Sequence, residues 1–465
     1  MINLSFIWYN GIIKIMPKIN PSIFKAYDVR GIYPEEVNEE SAYLIAKALV
    51  KFLKAKSIVL ARDMRPSSEP LYASVLEGLK EMGVKIYDVG LASTPMHTFV
   101  MNLENADAGI MITASHNPAK YNGMKLEEKF GVSIGEGSGI EEIKEIVLKG
   151  EIEKEKANYQ AEIIKKDYLE EYINFLAEKF ANEDFSYLKI AIDTSNGMAG
   201  YILPGLFEKL KINYLPLYFK LDGTFPHHEA DPSKLENLKD LSALVKKEKV
   251  SLGAVFDGDA DRVVFIDSAG QPISLDFVLA LLAKSFLKEK PGAKIIYGVS
   301  SSKVVPETIK ENGGKPLICR TGHAFFRRLC REEKAYFGCE KSGHCFFEDF
   351  FYADSAIFTM LHVLKLLSRT GQKIENLIAP FQKYFQTPEI NLEVKDKNEI
   401  LRTLESAYSD GTAFHMDGLT VEYPNWWFNI RPSNTEPVVR LNIEADTKEL
   451  LEEKKKEILE IIKSL

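Results

Sequence analysis

Asp257, Asp259 and Asp261, spaced two apart and followed at once by Arg262, are the strongest chemical signal in this sequence. The apolar run SLGAVF precedes them and VVFID follows, which places them on a loop between two strands. Carboxylates at that spacing cannot share a helix face. On a strand-end loop with Gly258 between the first two, they can converge on one hard cation, and the chemistry points to Mg²⁺. An EF-hand calcium loop fits poorly, because its sixth position would be Arg262 rather than Gly and its twelfth Ser268 rather than Glu. Without a cation, three aspartates at close quarters would repel one another.

Three further clusters carry polar chemistry. Thr113-Ala-Ser115-His116-Asn117-Pro118 follows the apolar run AGIMI, with Lys125 ten residues beyond Ser115. A serine on such a turn can be a nucleophile or a phosphate carrier, although Ser-His-Asn is equally the sequence of an ordinary Asx or Ser turn. Glu340, Ser342 and His344 stand at alternate positions, so an extended segment would point a carboxylate, a hydroxyl and an imidazole the same way, toward vicinal sugar hydroxyls or, on a polar edge strand, toward water. Arg431-Pro-Ser433-Asn434-Thr435 joins one guanidinium to two hydroxyls, an amide and loop N–H groups, a donor set matched to a phosphate dianion.

The elements that must position these loops recur. Ser57–Ala61 leads through RDMRPSS into a helical stretch; Leu188–Ile192 leads through DTSNGMAG, and Ala293–Tyr297 through GVSSSK, into others. Strand, turn and helix in alternation predict βαβ units and mainly parallel sheets, and three such copies suggest one α/β domain built three times. After about residue 380 the texture changes to strands alternating with helical NEILRTLESAY. In the closing TKELLEEKKKEILEIIKSL, Leu450, Leu451, Ile458, Ile461, Ile462 and Leu465 can share one helix face. The tract EEIKEIVLKGEIEKEKANYQ, 141–160, reads as a solvated helix and linker.

Together these motifs resemble the α-D-phosphohexomutases, the phosphomannomutase/phosphoglucomutase family. Seven runs appear in family order: FKAYDVRG (24–31), TASHNPAKYNGMK (113–125), DGTFPHHEADP (222–232), DGDADR (257–262), GHAFF (322–326), GCEKSGH (338–344) and RPSNTEP (431–437). The resemblance implies three similar α/β domains around a central cleft and a smaller C-terminal α+β domain. It implies Ser115 as phosphoserine, and Asp257, Asp259 and Asp261 as ligands of Mg²⁺ together with the Ser115 phosphate. It implies Glu340, Ser342 and His344 as sugar contacts, and Arg431, Ser433, Asn434 and Thr435 as the anchor of the non-reacting phosphate. Arg30, Lys125, Arg262, His323 and His116 fall at other active-site positions, with Arg320 on the substrate side. Many members carry Lys just before the Gly-His pair where this chain has Arg320-Thr321, which argues against a proton-accepting role there.

The expected activity interconverts hexose 6-phosphate and hexose 1-phosphate of mannose or glucose, with a hexose 1,6-bisphosphate as intermediate and activator. Phosphoglucosamine mutase is the runner-up, followed by a Mg²⁺-dependent sugar phosphatase and a sugar-phosphate sensor. The expected domains are 17–160, 161–266, 267–382 and 383–465, after a leader, 1–16, read as an extra translated segment or an accessory strand. At 465 residues and 45% hydrophobic the chain can bury several cores, while a net charge of -8 disfavours nucleic acid and anionic lipid as partners. Cys319, Cys330, Cys339 and Cys345 form no C-x-x-C pair, so a reduced, cytoplasmic setting is expected. The protein is expected to meet its phosphosugar as a monomer or homodimer, away from membranes.

Overall fold

The computed structural model describes residues 19–150, 152, 157, 160–432 and 438–465, together with the backbone of 6–9 and 12–15. Within the leader, Phe6–Tyr9 pairs antiparallel with Ile12–Ile15. The chain forms two compact units. One is Met1–Pro272 with Ala353–Gly371, the other Ile273–Tyr352 with Gln372–Leu465.

Besides that hairpin, the first unit holds two α/β sheets. In the first, Lys85–Leu91, Ser57–Arg62 and Ala108–Ile112 run parallel, and Tyr121–Glu128 closes antiparallel against the last of these. Val29–Ile32 then pairs with Tyr121–Glu128. Every residue of Ala108–Ile112 is buried, because helices cover both faces, and this is why AGIMI lacks the alternation of a half-exposed strand. Each large side chain buried there contributes about 1.5–3 kcal/mol. The helix Glu39–Leu53 begins on a capping box in which Asn38 and Ser41 satisfy each other's backbone N–H, and it turns Ala42, Ile45, Ala46 and Leu49 into the core. The helix Ile140–Lys149, in the tract expected as a solvated helix and linker, buries Ile143 and Val147 in the same core and leaves its glutamates outside.

The second sheet repeats the pattern. Asn213–Leu217, Lys189–Asp193 and Leu252–Phe256 are parallel, and Val263–Ile266 returns antiparallel. The helix Ala356–Thr370 belongs to this unit: Phe358 packs edge-on to Phe180, and Arg369 pairs with Glu183.

In the second unit the arrangement occurs a third time. Lys315–Cys319, Lys294–Gly298 and Phe337–Cys339 are parallel, followed by antiparallel Cys345–Phe347. The C-terminal part is an antiparallel sheet in which Trp426–Pro432 pairs with Leu419–Glu422 on one side and Val438–Ala445 on the other. The closing helix, Lys448–Lys463, buries Leu451, Ile458 and Ile462 against that sheet. Leu465 does not join the face: the helix ends at Lys463 and Leu465 is 42% exposed.

Three sheets therefore share one core order, the second strand beside the first, then the third and a reversed fourth; in the first sheet Ile163–Lys165 adds a further parallel strand beyond the second. The loop after the third strand lies at the carboxyl edge of each parallel set, where α/β sheets place their ligands. Ser115 lies on that loop in the first sheet, Asp257–Asp261 in the second and Glu340–His344 in the third.

Backbone packing at Gly123 couples two site-bearing strands. A Cβ there would stand 2.0 Å from the carbonyl oxygen of Val29, the residue before Arg30. Gly123→Ala is expected to force apart the strands that carry Arg30 and Lys125, at a cost of about 1–3 kcal/mol. A lowered thermal midpoint in differential scanning calorimetry, with reduced activity, would show it; an unchanged midpoint would refute it.

Candidate functional site

Ser115 sits at φ 49, a left-handed conformation that costs a non-glycine residue about 1–3 kcal/mol. Its N–H donates to Thr113 Oγ1 at 2.8 Å and its carbonyl accepts from Arg65 Nη2 at 2.9 Å, so the turn is fixed from both ends. Its side chain is aimed at the aspartate loop and donates from Oγ to Asp257 Oδ2 at 3.0 Å; His116 Nδ1 lies 3.3 Å away. Gly258 permits this approach, because a Cβ there would be 2.5 Å from the Ser115 carbonyl oxygen.

All three aspartates are buried, and their ligand atoms lie within 4.8 Å of one another. Asp257 Oδ1 accepts from the N–H groups of Asp261 and Arg262, and Oδ2 from Arg262 Nε at 3.0 Å. Asp259 Oδ2 accepts from Thr94 Oγ1 at 2.5 Å and Lys125 Nζ at 2.7 Å. Lys125 Nζ also reaches Asp261 Oδ2 at 2.5 Å. Burial, with Asp261 and Asp259 alongside, pushes the Asp257 carboxyl well above the usual range. Burial and Asp261 push Asp259 in the same direction, but the charge and hydrogen bond of Lys125 and the Thr94 hydroxyl hold it below the usual range. Lys125 is itself desolvated, yet Asp259 and Asp261 keep its pKa well above that of a free lysine.

This donor set fits a divalent cation. Three carboxylates face two cationic side chains, and Asp259 Oδ1 is buried without a hydrogen-bond partner among the described residues. Asp257, Asp259 and Asp261, with the Ser115 oxygen at the edge of the cluster, are the residues that would hold Mg²⁺. Among the described residues Arg262 Nη2 is likewise buried without a hydrogen-bond partner, beside Ser115's carboxylate contact, in keeping with an anion at that point. Arg30 braces the same loop, donating to the Ala114 carbonyl at 2.5 Å and to Asn117 Oδ1 at 2.7 Å, and pairing with Asp28.

Glu340, Ser342 and His344 converge for a reason other than strand pleat. Phe337–Cys339 and Cys345–Phe347 are two short paired strands, and Glu340–His344 is the turn between them. Glu340 Oε1 accepts from the Gly322 N–H at 2.7 Å, Glu340 Oε2 lies 3.1 Å from His344 Nδ1, and Ser342 Oγ is 3.0 Å from the same nitrogen. Burial alone would raise the Glu340 pKa, but the hydrogen bond and charge of His344, the Gly322 N–H and His323 pull it below the ordinary carboxylate range. His323 opens the helix His323–Glu332, its ring centroid 5.6 Å from that of His344. Arg320 stacks on Phe325 at 4.0 Å. Arg431 pairs with Glu389 at 2.8 Å on the C-terminal sheet; Ser433, Asn434 and Thr435 lie outside the described residues.

Sequence reasoning missed Thr94, Arg65, Asp63 and Glu389. Thr94 touches Asp259 with both its hydroxyl and its backbone N–H. The signal was the Ser-Thr-Pro start of a helix, Ser93 being the cap of Thr94–Leu103. Arg65, fully buried, donates to the carbonyls of Ser115, Asn117, Pro118 and Tyr121 and pairs with Asp63. The DGTFPHHEADP run also serves it: Gly223 lies against its backbone and the Phe225 ring against its guanidinium. Cys339 and Cys345 form a disulfide, which corrects the expectation of four reduced cysteines; cross-strand pairing brings together two residues that sequence spacing did not mark as partners. Among the described residues, no helix is long and apolar enough to cross a membrane.

A triplicated α/β sheet pattern with a serine aimed into a buried carboxylate cluster defines a phosphoryl-handling enzyme architecture. Models of the four phosphoglucomutase/phosphomannomutase domains match in order: α/β/α domain I at 21–154, II at 170–270, III at 274–384 and the C-terminal domain at 389–461. The chain is 37% identical over 447 residues to a phosphomannomutase of Methanocaldococcus jannaschii, covering 95% of this chain and 98% of that protein. It is 36% identical to a phosphomannomutase/phosphoglucomutase of Pseudomonas aeruginosa, covering 94% of each. A crystal structure of a phosphoglucomutase/phosphomannomutase family protein from Burkholderia thailandensis superposes with a TM-score of 0.87 at 31% identity, covering 96% of this chain and 98% of that one. The chain belongs to the phosphoglucomutase/phosphomannomutase family. It is an intramolecular phosphotransferase built of three similar α/β domains and a smaller C-terminal domain.

Proposed function

We propose that this enzyme interconverts hexose 6-phosphates and hexose 1-phosphates of mannose and glucose, with Ser115 as the phosphate carrier. The observation that carries the reading is the Ser115 hydroxyl 3.0 Å from Asp257 inside a buried three-aspartate cluster. O1 and O6 lie at opposite ends of a hexose, so phosphate cannot pass directly between them. A phosphate stored on Ser115 moves to the free hydroxyl, giving a hexose 1,6-bisphosphate. The bisphosphate then reorients, and its other phosphate returns to Ser115.

Asp257, Asp259 and Asp261 would hold Mg²⁺, which would supply positive charge beside a phosphate on Ser115. Arg262, whose Nη2 has no hydrogen-bond partner among the described residues, and Arg30 offer donors for the transferring group. Lys125, charged between two aspartates, is a donor and not a base, so proton removal from the attacking hydroxyl falls to an imidazole, His116 or His323. Glu340, Ser342 and His344 bind the sugar hydroxyls; Arg431, with Ser433, Asn434 and Thr435, holds the phosphate that is not reacting.

The test combines two measurements. Comparison of kcat/KM for mannose, glucose and glucosamine 1-phosphates is expected to rank the first two above the third; the reverse order would make this a phosphoglucosamine mutase. Intact-mass and peptide analysis after incubation with glucose 1,6-bisphosphate is expected to find one phosphate on Ser115. Steady phosphate release without isomerisation would establish a phosphatase instead, and binding without turnover a sensor.

Chelation with EDTA is expected to lower turnover by about 10²- to 10³-fold, with Mg²⁺ restoring it. Asp259→Asn should raise the Mg²⁺ concentration needed for half-maximal activity. Full activity in EDTA would remove the metal from the reading.

A further inference from the structure

We propose that the Cys339–Cys345 disulfide is a thiol-responsive clamp that positions the turn Glu340–His344 for substrate. The inference rests on the reading of that turn as the sugar contact. Cys339 ends one strand and Cys345 begins the next, and they are direct partners in the antiparallel register, six residues apart in sequence. The adjacent pair, Glu340 and His344, is joined by a backbone hydrogen bond of 2.8 Å. Cys339 and Cys345 thus occupy the neighbouring position without such a bond, where cross-strand side chains approach most closely.

Alternation along the strands puts the sulfurs on the face opposite Glu340 and His344. There both cysteines are 0% exposed. The bridge therefore closes the base of the turn without occupying the space a sugar would need. The turn depends on that base. Glu340 contacts Ser342, His344 and the Gly322 N–H, so a shift of one strand relative to the other would move every one of these donors and acceptors. Gly343 holds the turn at φ 105 and its N–H donates to the Glu340 carbonyl, but these bonds lie within the turn and do not tie it to the sheet.

Opening the clamp takes two electrons and two protons from a dithiol. Its thiolate attacks one sulfur, the Cys339–Cys345 bond breaks, and a mixed disulfide forms. The second thiol of the reagent then displaces the protein sulfur, leaving Cys339 and Cys345 as thiols and the reagent as a cyclic disulfide. Because both sulfurs are buried, attack requires the turn to open first, and a sugar phosphate bound on the turn must slow it.

The full chain, purified without reductant and loaded with Mg²⁺, is assayed with mannose 1-phosphate before and after treatment with dithiothreitol, and free thiols are counted under denaturing conditions. The expected counts are two thiols before, Cys319 and Cys330, and four after. Reduction should raise KM roughly 3- to 10-fold with kcat nearly unchanged, the mark of lost preorganised binding. The double variant C339A/C345A should show the raised KM without treatment and no response to dithiothreitol. Four thiols in the untreated protein, or equal KM in the two states, overturns the proposal. If the chain isomerises no hexose phosphate in either state, the mutase reading fails separately. The clamp is then judged by the rate of reduction with and without mannose 1-phosphate, where slowing supports it and equal rates refute it.

Discussion

Ser115→Ala is expected to lower isomerisation by on the order of 10³-fold or more, because in the proposed mechanism the residue is the acceptor and donor of the phosphate and not one contributor among many. The side chain makes one carboxylate contact, to Asp257, and its backbone is held by Thr113 and Arg65, so alanine leaves the turn intact. Binding should therefore survive: calorimetric titration with glucose 1-phosphate is expected to give an unchanged Kd while turnover falls to background even with added glucose 1,6-bisphosphate. Near-normal turnover in that assay would remove Ser115 from the carrier role, whatever the metal cluster does.

Arg65→Met should be the most damaging change outside the reacting groups. The guanidinium satisfies four loop carbonyls and pairs with Asp63 at 3.2 Å, all inside protein. Removing it strands the Asp63 carboxylate without its ion-pair partner and leaves those carbonyls short of donors, a loss of about 3–5 kcal/mol. The transition of the domain that carries Ser115 should fall by roughly 10 °C in scanning calorimetry. Arg65→Lys should recover only part of it, since an ammonium restores the charge but not the planar fork. A midpoint equal to that of the unaltered protein would show that the loop is held by other means. Activity should drop with the thermal midpoint, because the four carbonyls include that of Ser115 itself.

Much of the chemistry was legible in the chain. Aspartates spaced by two between apolar strands leave few arrangements other than convergence on a cation, and strand–turn–helix segments recurring beyond 100 residues announced a repeated α/β unit. The convergence of Glu340, Ser342 and His344 was legible too, but from strand alternation, whereas the fold achieves it with a turn. Thr94 and Arg65 were not legible, because their partners, Asp259 and the 115–121 loop, are distant in sequence and nothing local marks the bonds.

The sequence by itself determined which residues can take part: local spacing, side-chain charge and the apolar runs flanking each loop are properties of short segments, and seven such segments sufficed to mark the family. Only the tertiary structure decided where those residues stand. The repeated strand order puts the Ser115, Asp257–Asp261 and Glu340–His344 loops after the third strand of their sheets. Antiparallel register brings Cys339 to Cys345, and burial raises Asp257 while Lys125 lowers Asp259. These are outcomes of packing between segments far apart in the chain, where proximity and dielectric, not spacing, set the energy of a charge.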